Sequence, residues 1–287
     1  MILAACLIPA AALAQGPVSE ALPFTQLDYN PASIGMGGTV VPSAAVLPLK
    51  EVKLAGGLSY QNYMPGISAT QYIGGGVAGC LDKLGYSFSF VHGSGEKIYI
   101  MDGAVDNYTP TEMLVNAGVS YAILDQLAVG VNVKYAQEQP MLNYSNSAIA
   151  ADVFVAGKFS GLDFAAGVSS VGQKVKSQDT GEYSLPSAIV ASAGYAYELT
   201  EDNVVSARAR VDSFFSGALA AGAGVEYCWS GMVCARAGYH YGGDSIIPTY
   251  ASAGLGLRYS GFTLDAAYLF ASDVLGGSFA ISAGVRF

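Results

Sequence analysis

The chain reads as all-β: a transmembrane antiparallel β-barrel of about fourteen strands, with an irregular N-terminal segment plugging or lining its periplasmic mouth. Three observations predict this. The first is composition: 52% of residues are hydrophobic and 12% charged, where about 25% charged is usual for a soluble domain. No apolar run reaches the ~18–20 residues of a spanning helix, and without such helices a backbone is satisfied in lipid only as a closed barrel. The second is the final stretch, Ser278–Phe287. Phe279, Ile281, Ala283, Val285 and Phe287 fall on one face, while Ala280, Ser282, Gly284 and Arg286 fall on the other. That is a period of two, the signature of a strand, and the closing strand of an outer-membrane barrel carries its aromatic at the interface. The third is the repetition of this rhythm along the chain, with connections that alternate between short and long.

Residues Met1–Ala14 read as a secretory signal peptide. Ile2–Leu13 is the apolar core, and Ala12-Leu13-Ala14 is an A-x-A cleavage site before Gln15. A basic n-region is missing, which leaves open a start codon further upstream. Leu3-Ala4-Ala5-Cys6 resembles a lipoprotein box, but Cys6 lies inside the apolar run, and cleavage after Ala14 is favoured. Residues 15–50 form the second unit, the periplasmic or plug segment. Pro17, Pro23, Pro31, Pro42 and Pro48 break any sustained alternation there, and irregular backbone at membrane depth has to be surrounded by protein or water.

Residues 51–287 form the barrel. The expected strands are Val52–Gln61, Gln71–Leu81, Gly85–His92, Met113–Ile123, Leu127–Tyr135, Ala148–Phe159 and Asp163–Val171. They continue as Ser187–Glu198, Val204–Phe214, Ala218–Trp229, Met232–Tyr241, Tyr250–Tyr259, Phe262–Phe270 and Ser278–Phe287. Most approach the ~9–11 residues of a tilted spanning strand. Asp82-Lys83, Leu124–Gln126, Ser160-Gly161, Leu199–Asn203, Ser230-Gly231 and Ser260-Gly261 are the short connections; Gly93–Glu112, Ala136–Ser147 and Gly172–Pro186 are the longest. Short periplasmic turns and longer outer loops define an up-and-down barrel. None of the eleven prolines is expected inside a strand.

The two faces separate. Val131, Val133 and Tyr135, Val153 and Val155, Ala207, Ala209 and Val211, Leu255, Leu257 and Tyr259, and Leu264, Ala266 and Tyr268 are assigned to lipid. Lys53, Lys134, Asp152, Lys158, Asp163, Glu198, Arg208, Arg210, Asp212, Glu226, Arg236, Arg258, Asp265 and Arg286 are assigned to the lumen. Basic and acidic members nearly balance, so mutual pairing is favoured over the lining of a conduit. The candidate network centres on Glu198, Arg208, Arg210, Asp212, Glu226 and Arg236, with Arg258, Asp265 and Arg286 beside it. Two aromatic girdles are expected: Tyr197, Tyr227, Trp229, Tyr259 and Phe262 at the turn end, and Tyr60, Tyr135, Tyr239, Tyr241, Tyr250 and Phe270 at the loop end.

Cys80 reads as a buried free thiol. Cys228 and Cys234 face each other across a tight turn; an oxidising compartment permits a disulfide and cross-strand strain opposes one, so both states stay open. No metal-ligand spacing involves His92 or His240. No nucleophile–base set or phosphate loop emerges, so no enzyme activity and no cofactor are expected. A net charge of −9 argues against nucleic acid.

Asn30–Thr39, Asn116–Tyr121 with Leu127–Tyr135, Gly224–Trp229 with Ala235–Tyr239, and Gly254–Tyr268 together resemble the PorV/PorQ family of Bacteroidota outer-membrane proteins, a branch of the FadL-like barrels. The likeness runs from about Leu22 to Phe287. It implies a fourteen-strand barrel with a tucked-in N-terminal segment. It also implies partners: a type IX secretion translocon, or the sorting domain of its cargo. The family's second Asn-Pro-Ala element is degenerate here, at Pro42–Leu47. Asn30, Pro31, Gly35, Met36, Gly37 and Gly38 are the candidate gate or hatch, the alternative being a static turn. Gly74-Gly75-Gly76 either opens a lateral gap to the bilayer or packs closely against the N-terminal segment, and the second is favoured. Two functions follow: an outer-membrane protein serving secretion or surface assembly through protein contacts, or a FadL-like passive transporter of small hydrophobic molecules.

Overall fold

A computed structural model describes residues 20–41, 44–46, 48–50, 53–64, 69–98, 107–142, 144–177 and 181–287. The signal-peptide reading, with Cys6, lies outside the described residues. Among the described residues sixteen strands are present: β1 Leu54–Tyr63, β2 Thr70–Leu81, β3 Leu84–Ser94, β4 Thr111–Leu124, β5 Leu127–Met141, β6 Tyr144–Phe159, β7 Leu162–Gly172, β8 Val175–Ser177, β9 Gly181–Tyr183, β10 Ala188–Thr200, β11 Asn203–Phe214, β12 Leu219–Trp229, β13 Val233–Tyr241, β14 Tyr250–Tyr259, β15 Phe262–Phe270 and β16 Phe279–Arg286. Fourteen of them form one closed antiparallel barrel, and β8 and β9 make a separate two-stranded hairpin in a loop. Closure is by β1 on β16, from Ala55 opposite Arg286 to Asn62 opposite Phe279.

The alternation in the sequence builds this wall. Leu255, Leu257, Val131, Val133, Val153, Tyr195 and Ile281 are exposed, as lipid-facing side chains must be, while their neighbours point inward. At the turn end, Ser160-Gly161, Ser230-Gly231 and Ser260-Gly261 have positive φ at both residues, the turn geometry that matches the strand twist.

Four expectations are corrected. Residues 136–147 are not a loop: β5 and β6 continue as a hairpin of 15- and 16-residue strands. Their polar residues Glu138 and Asn146 are hydrogen-bonded to each other at 2.8 Å, and the broken alternation hid the ladder. Pro140 therefore lies inside a strand. The β5–β6 register shifts between Glu138 and Met141, so the proline meets no ladder position that needs its missing N–H. Tyr250 is no girdle residue. It is 4% exposed, because it shares its parity with the lumen-facing Ser252 and Gly254. Cys80 is only half-buried, and its thiol donates to the Asp82 carbonyl at 2.9 Å.

The described part of the N-terminal segment, residues 20–41, 44–46 and 48–50, packs against lumen-facing residues, and around Ala21 it lies at the loop end. The Ala21 N–H donates to the Ser184 carbonyl in the β9–β10 connection. Leu22 and Phe24 pack on Tyr72, Val91, Leu114, Ala136 and Ala148, high on β2–β6. The chain then crosses to β12–β16, where Ile34 meets Tyr250, Leu269 and Leu275. It returns to the other wall, where Val41 and Ala45 pack on Phe154, Ala156 and Val190.

Candidate functional site

The gate candidates form a compact turn. Asn30 caps the one-turn helix α1, Pro31–Ile34, accepting from the Ala32 N–H at 3.1 Å, with Pro31 in the first turn. Gly37 and Gly38 both have φ of 73°, which a side chain would strain. Ser33 ties the turn shut: its carbonyl accepts from Gly38 N–H at 2.9 Å and its Oγ from Val40 N–H at 3.0 Å.

This turn rests on bare backbone. Gly222 and Gly224 on β12, Gly238 on β13 and Gly254 on β14 all face inward beneath it. A Cβ on Gly238 would stand 2.1 Å from Gly37 N and 2.2 Å from Met36 C, and one on Gly224 would stand 2.4 Å from Met36 O. A second seat lies opposite, where a Cβ on Gly130 would stand 2.6 Å from Ala45 N. Polar latches complete the docking. Gly37 N–H donates to Ser252 Oγ at 3.2 Å. Arg210 Nη1 donates to the carbonyls of Gly38 at 3.5 Å and Val40 at 3.2 Å.

The lumen charges are placed as pairs. Arg210 is held by Asp212, with Nε–oxygen distances of 3.0 and 2.9 Å. Arg208 meets Asp163 at 2.6 Å. Arg236, with a side chain 0% exposed, bridges Glu226 and Asp265, each at 2.6 Å, and Arg258 lies 3.6 Å from Glu226. Lys134 meets Asp152 at 2.8 Å. Glu198 and Arg286 are exposed at the turn-end rim, as are Lys53 and Lys158. Cys228 and Cys234 are disulfide-bonded directly across β12 and β13. Of the one carboxylate-and-thiol cluster among the described residues, Glu226, Cys228 and Cys234, only Glu226 is therefore left as a ligand, and no metal site is assigned.

Gly74–Gly76 corrects the favoured packing expectation. The nearest atoms to a Cβ built there belong to Ser59, Leu58, Ser89, Phe88, Phe90 and Val91, all wall residues and none from the N-terminal segment. The ladders on both sides run through these glycines without a register shift, so the wall is continuous. What they face is a cavity of about 630 Å³, within the ~300–1,000 Å³ of ligand pockets. Its wall on β16, β1, β2 and β3 holds a patch of small residues, Gly284 and Ser282, Gly57 and Ser59, Gly74 and Gly76, and Ser89, with the larger Gln61, Tyr63 and Val91 beside it. The lining runs from Tyr63 and Ile247 at the loop end to Ala55 and Arg286 at the turn end. Outside the same wall, Leu58, Val77, Phe88, Phe90 and Phe262 ring a shallow apolar depression.

Above the cavity sits an aromatic group that the sequence reading did not single out. Tyr72 stands edge-on to Tyr29 and Tyr63, with centroids 5.3 and 6.4 Å away, and its hydroxyl donates to Glu112 at 2.6 Å. Asp28, on the same lining, accepts from the Asn30 N–H at 2.9 Å. Burial pushes its carboxyl above the ordinary carboxylate range. Inward parity was the only signal for Tyr72; Tyr63 lay beyond the expected strand Val52–Gln61, and position in an irregular segment gave no signal for Tyr29.

Several solved structures share this barrel fold. The Ralstonia pickettii toluene transporter TbuX is similar at a TM-score of 0.61 and 12% identity, and the P. putida toluene transporter TodX at 0.62 and 12%. A Pseudomonas aeruginosa FadL homologue is similar at 0.54 and 13%. Each alignment covers 90% of this chain and 98% of the other. At these identities the likeness concerns the fold. No protein-family model and no curated protein matches the chain.

Proposed function

We propose that this chain is a passive outer-membrane transporter of small hydrophobic molecules, with the N-terminal segment as its gate. One observation carries the reading: the lumen holds a cavity of about 630 Å³ between that segment and a small-residue wall. A barrel whose only task was to present loops would gain stability by filling that space, since unfilled apolar volume costs packing energy. The named transporters sharing the fold support the same reading. A molecule entering at the loop end has two ways onward. One is axial, past Gly35–Gly38 once that turn lifts from its seat. The other is lateral, through the glycine seam at Gly57, Gly76 and Gly284, where the wall separates cavity from apolar depression. The seam is closed in this conformation.

The protein-docking role implied by the PorV/PorQ resemblance draws no support from this geometry, in which the distinctive volume is internal. The experiment is uptake of a small aromatic hydrocarbon into proteoliposomes, comparing the parent with Ser59→Phe, which grows a ring into the cavity from β1. Uptake well above empty vesicles, and its loss in the variant, is the expected result. Parent vesicles no faster than empty ones would overturn the reading.

A further inference from the structure

The cavity's hydrogen-bonding inventory is lopsided. Gln61, inward on β1 opposite Tyr72 and Ala280, is 5% exposed and lines the cavity. Its Oε1 is buried and has no donor within hydrogen-bond distance. Asn116, lower on the lining, presents a second buried acceptor, Oδ1, with no partner. Neither group titrates, so each stays an acceptor at every pH. A buried acceptor without a donor is among the costliest features of a protein interior; with Gln26 Oε1 and Asp28 Oδ2 the same lining holds four such oxygens against one His240 ring, whose two nitrogens are also without partners, and that imbalance marks what an occupant brings.

The charges on the lining point the same way. Lys134 and Arg210 are each committed to an aspartate, Asp152 and Asp212. Arg286 sits at the opposite, turn end of the lining. Near Gln61 the lining supplies tyrosine rings and the Asp28 carboxyl, with no uncommitted cation described there. A carboxylate entering this chamber would lose its hydration and gain no counter-charge. A pure hydrocarbon would leave both amide oxygens bare.

We infer that the cavity selects small apolar molecules carrying an uncharged hydroxyl head, such as alcohols or phenols, over hydrocarbons and over carboxylates of the same size. This rests on the transport reading and goes beyond it, because it names the head group. The hydroxyl donates to Gln61 Oε1, and the apolar body lies along the glycine- and serine-lined wall towards Gly57 and Gly76.

Calorimetric titration of the full detergent-solubilised barrel with three probes of one body tests it: ethylbenzene, 2-phenylethanol and phenylacetate. The expected order places 2-phenylethanol first by roughly tenfold or more. Gln61→Met, which keeps the length and removes the acceptor, is expected to close the gap between the alcohol and ethylbenzene. Equal affinity for alcohol and hydrocarbon, or phenylacetate binding tightest, would overturn the preference while leaving the transporter standing. A failure of all three to bind would overturn both. The parent's ranking stands as a test by itself should the variant not fold.

Discussion

The seat under the Gly35–Gly38 turn can be broken with one methyl group. In Gly238→Ala, the new Cβ would stand 2.1 Å from Gly37 N and 2.2 Å from Met36 C. Ordinary contact begins at 3.4 Å, so the turn has to rise by about 1.2–1.3 Å. Both clashing atoms are backbone, so no side chain can rotate out of the way. Overpacking of this kind costs ~1–3 kcal/mol. The Gly37–Ser252 bond, already 3.2 Å long, breaks with it. The barrel ladder is untouched, since the methyl points into the lumen, and the loss falls on docking of the turn alone. That converts to a roughly 5- to 150-fold rise in the undocked population. Hydrogen exchange of residues 33–40 measures it directly: protection there falls by that factor while the strand amides keep theirs. Gly74→Ala is the control, since its Cβ meets only wall atoms at 3.1–3.2 Å and leaves residues 33–40 protected. Unchanged protection in Gly238→Ala would show that the glycine seat does not hold the turn.

Other outcomes follow from the same geometry. Arg236→Met takes from Asp265 its cation and leaves Glu226 with only the more distant Arg258, and loss of one partner from a buried pair costs ~3–5 kcal/mol; denaturant unfolding in detergent reads the shift. Leu255→Arg puts charge on the lipid face, where Leu255 is 63% exposed, and costs up to ~2–4 kcal/mol towards mid-bilayer; the folded fraction in lipid vesicles falls, and an unchanged fraction would reverse the facing. Asp28 has its carboxyl raised by burial, so docking is strongest below about pH 4 and weakens as the pH climbs through the raised value. Protection of residues 28–38, corrected for intrinsic exchange, therefore declines from pH 4 to pH 8 in the parent and stays level in Asp28→Asn.

The barrel was legible because most spanning positions alternate, apolar out and small or polar in, with inward exceptions such as Tyr72, Phe154 and Leu269, and because Ser-Gly turns punctuate it. Tyr250–Tyr259 and Phe262–Phe270 agree with the strands found at both ends. Alternation fails once strands leave the apolar slab, which is why the β5–β6 extension and Pro140 went unseen. Tyr250 shows the converse limit: an aromatic near a strand end suits a girdle or a core equally, and only parity decides. The cavity was illegible for a physical reason. It is formed by what Gly57, Gly76 and Gly284 lack, and glycine in a strand signals a close backbone approach as readily as it signals space. At Gly222, Gly224 and Gly238 the N-terminal backbone fills the vacancy; at Gly57 and Gly76 the nearest atoms belong to the neighbouring strands instead. Which glycines are covered depends on how residues 20–50 thread the lumen, and no periodicity encodes that path.

A seat of bare backbone also has no knobs. Where side chains interdigitate, one surface slides over another only if rotamers change on both. Met36 and Gly37 lie instead on a nearly smooth floor, restrained along it by Ser252 and Arg210. A translation of that turn along the floor would meet no side chain at Gly222, Gly224 or Gly238, so the wall there would need no rearrangement.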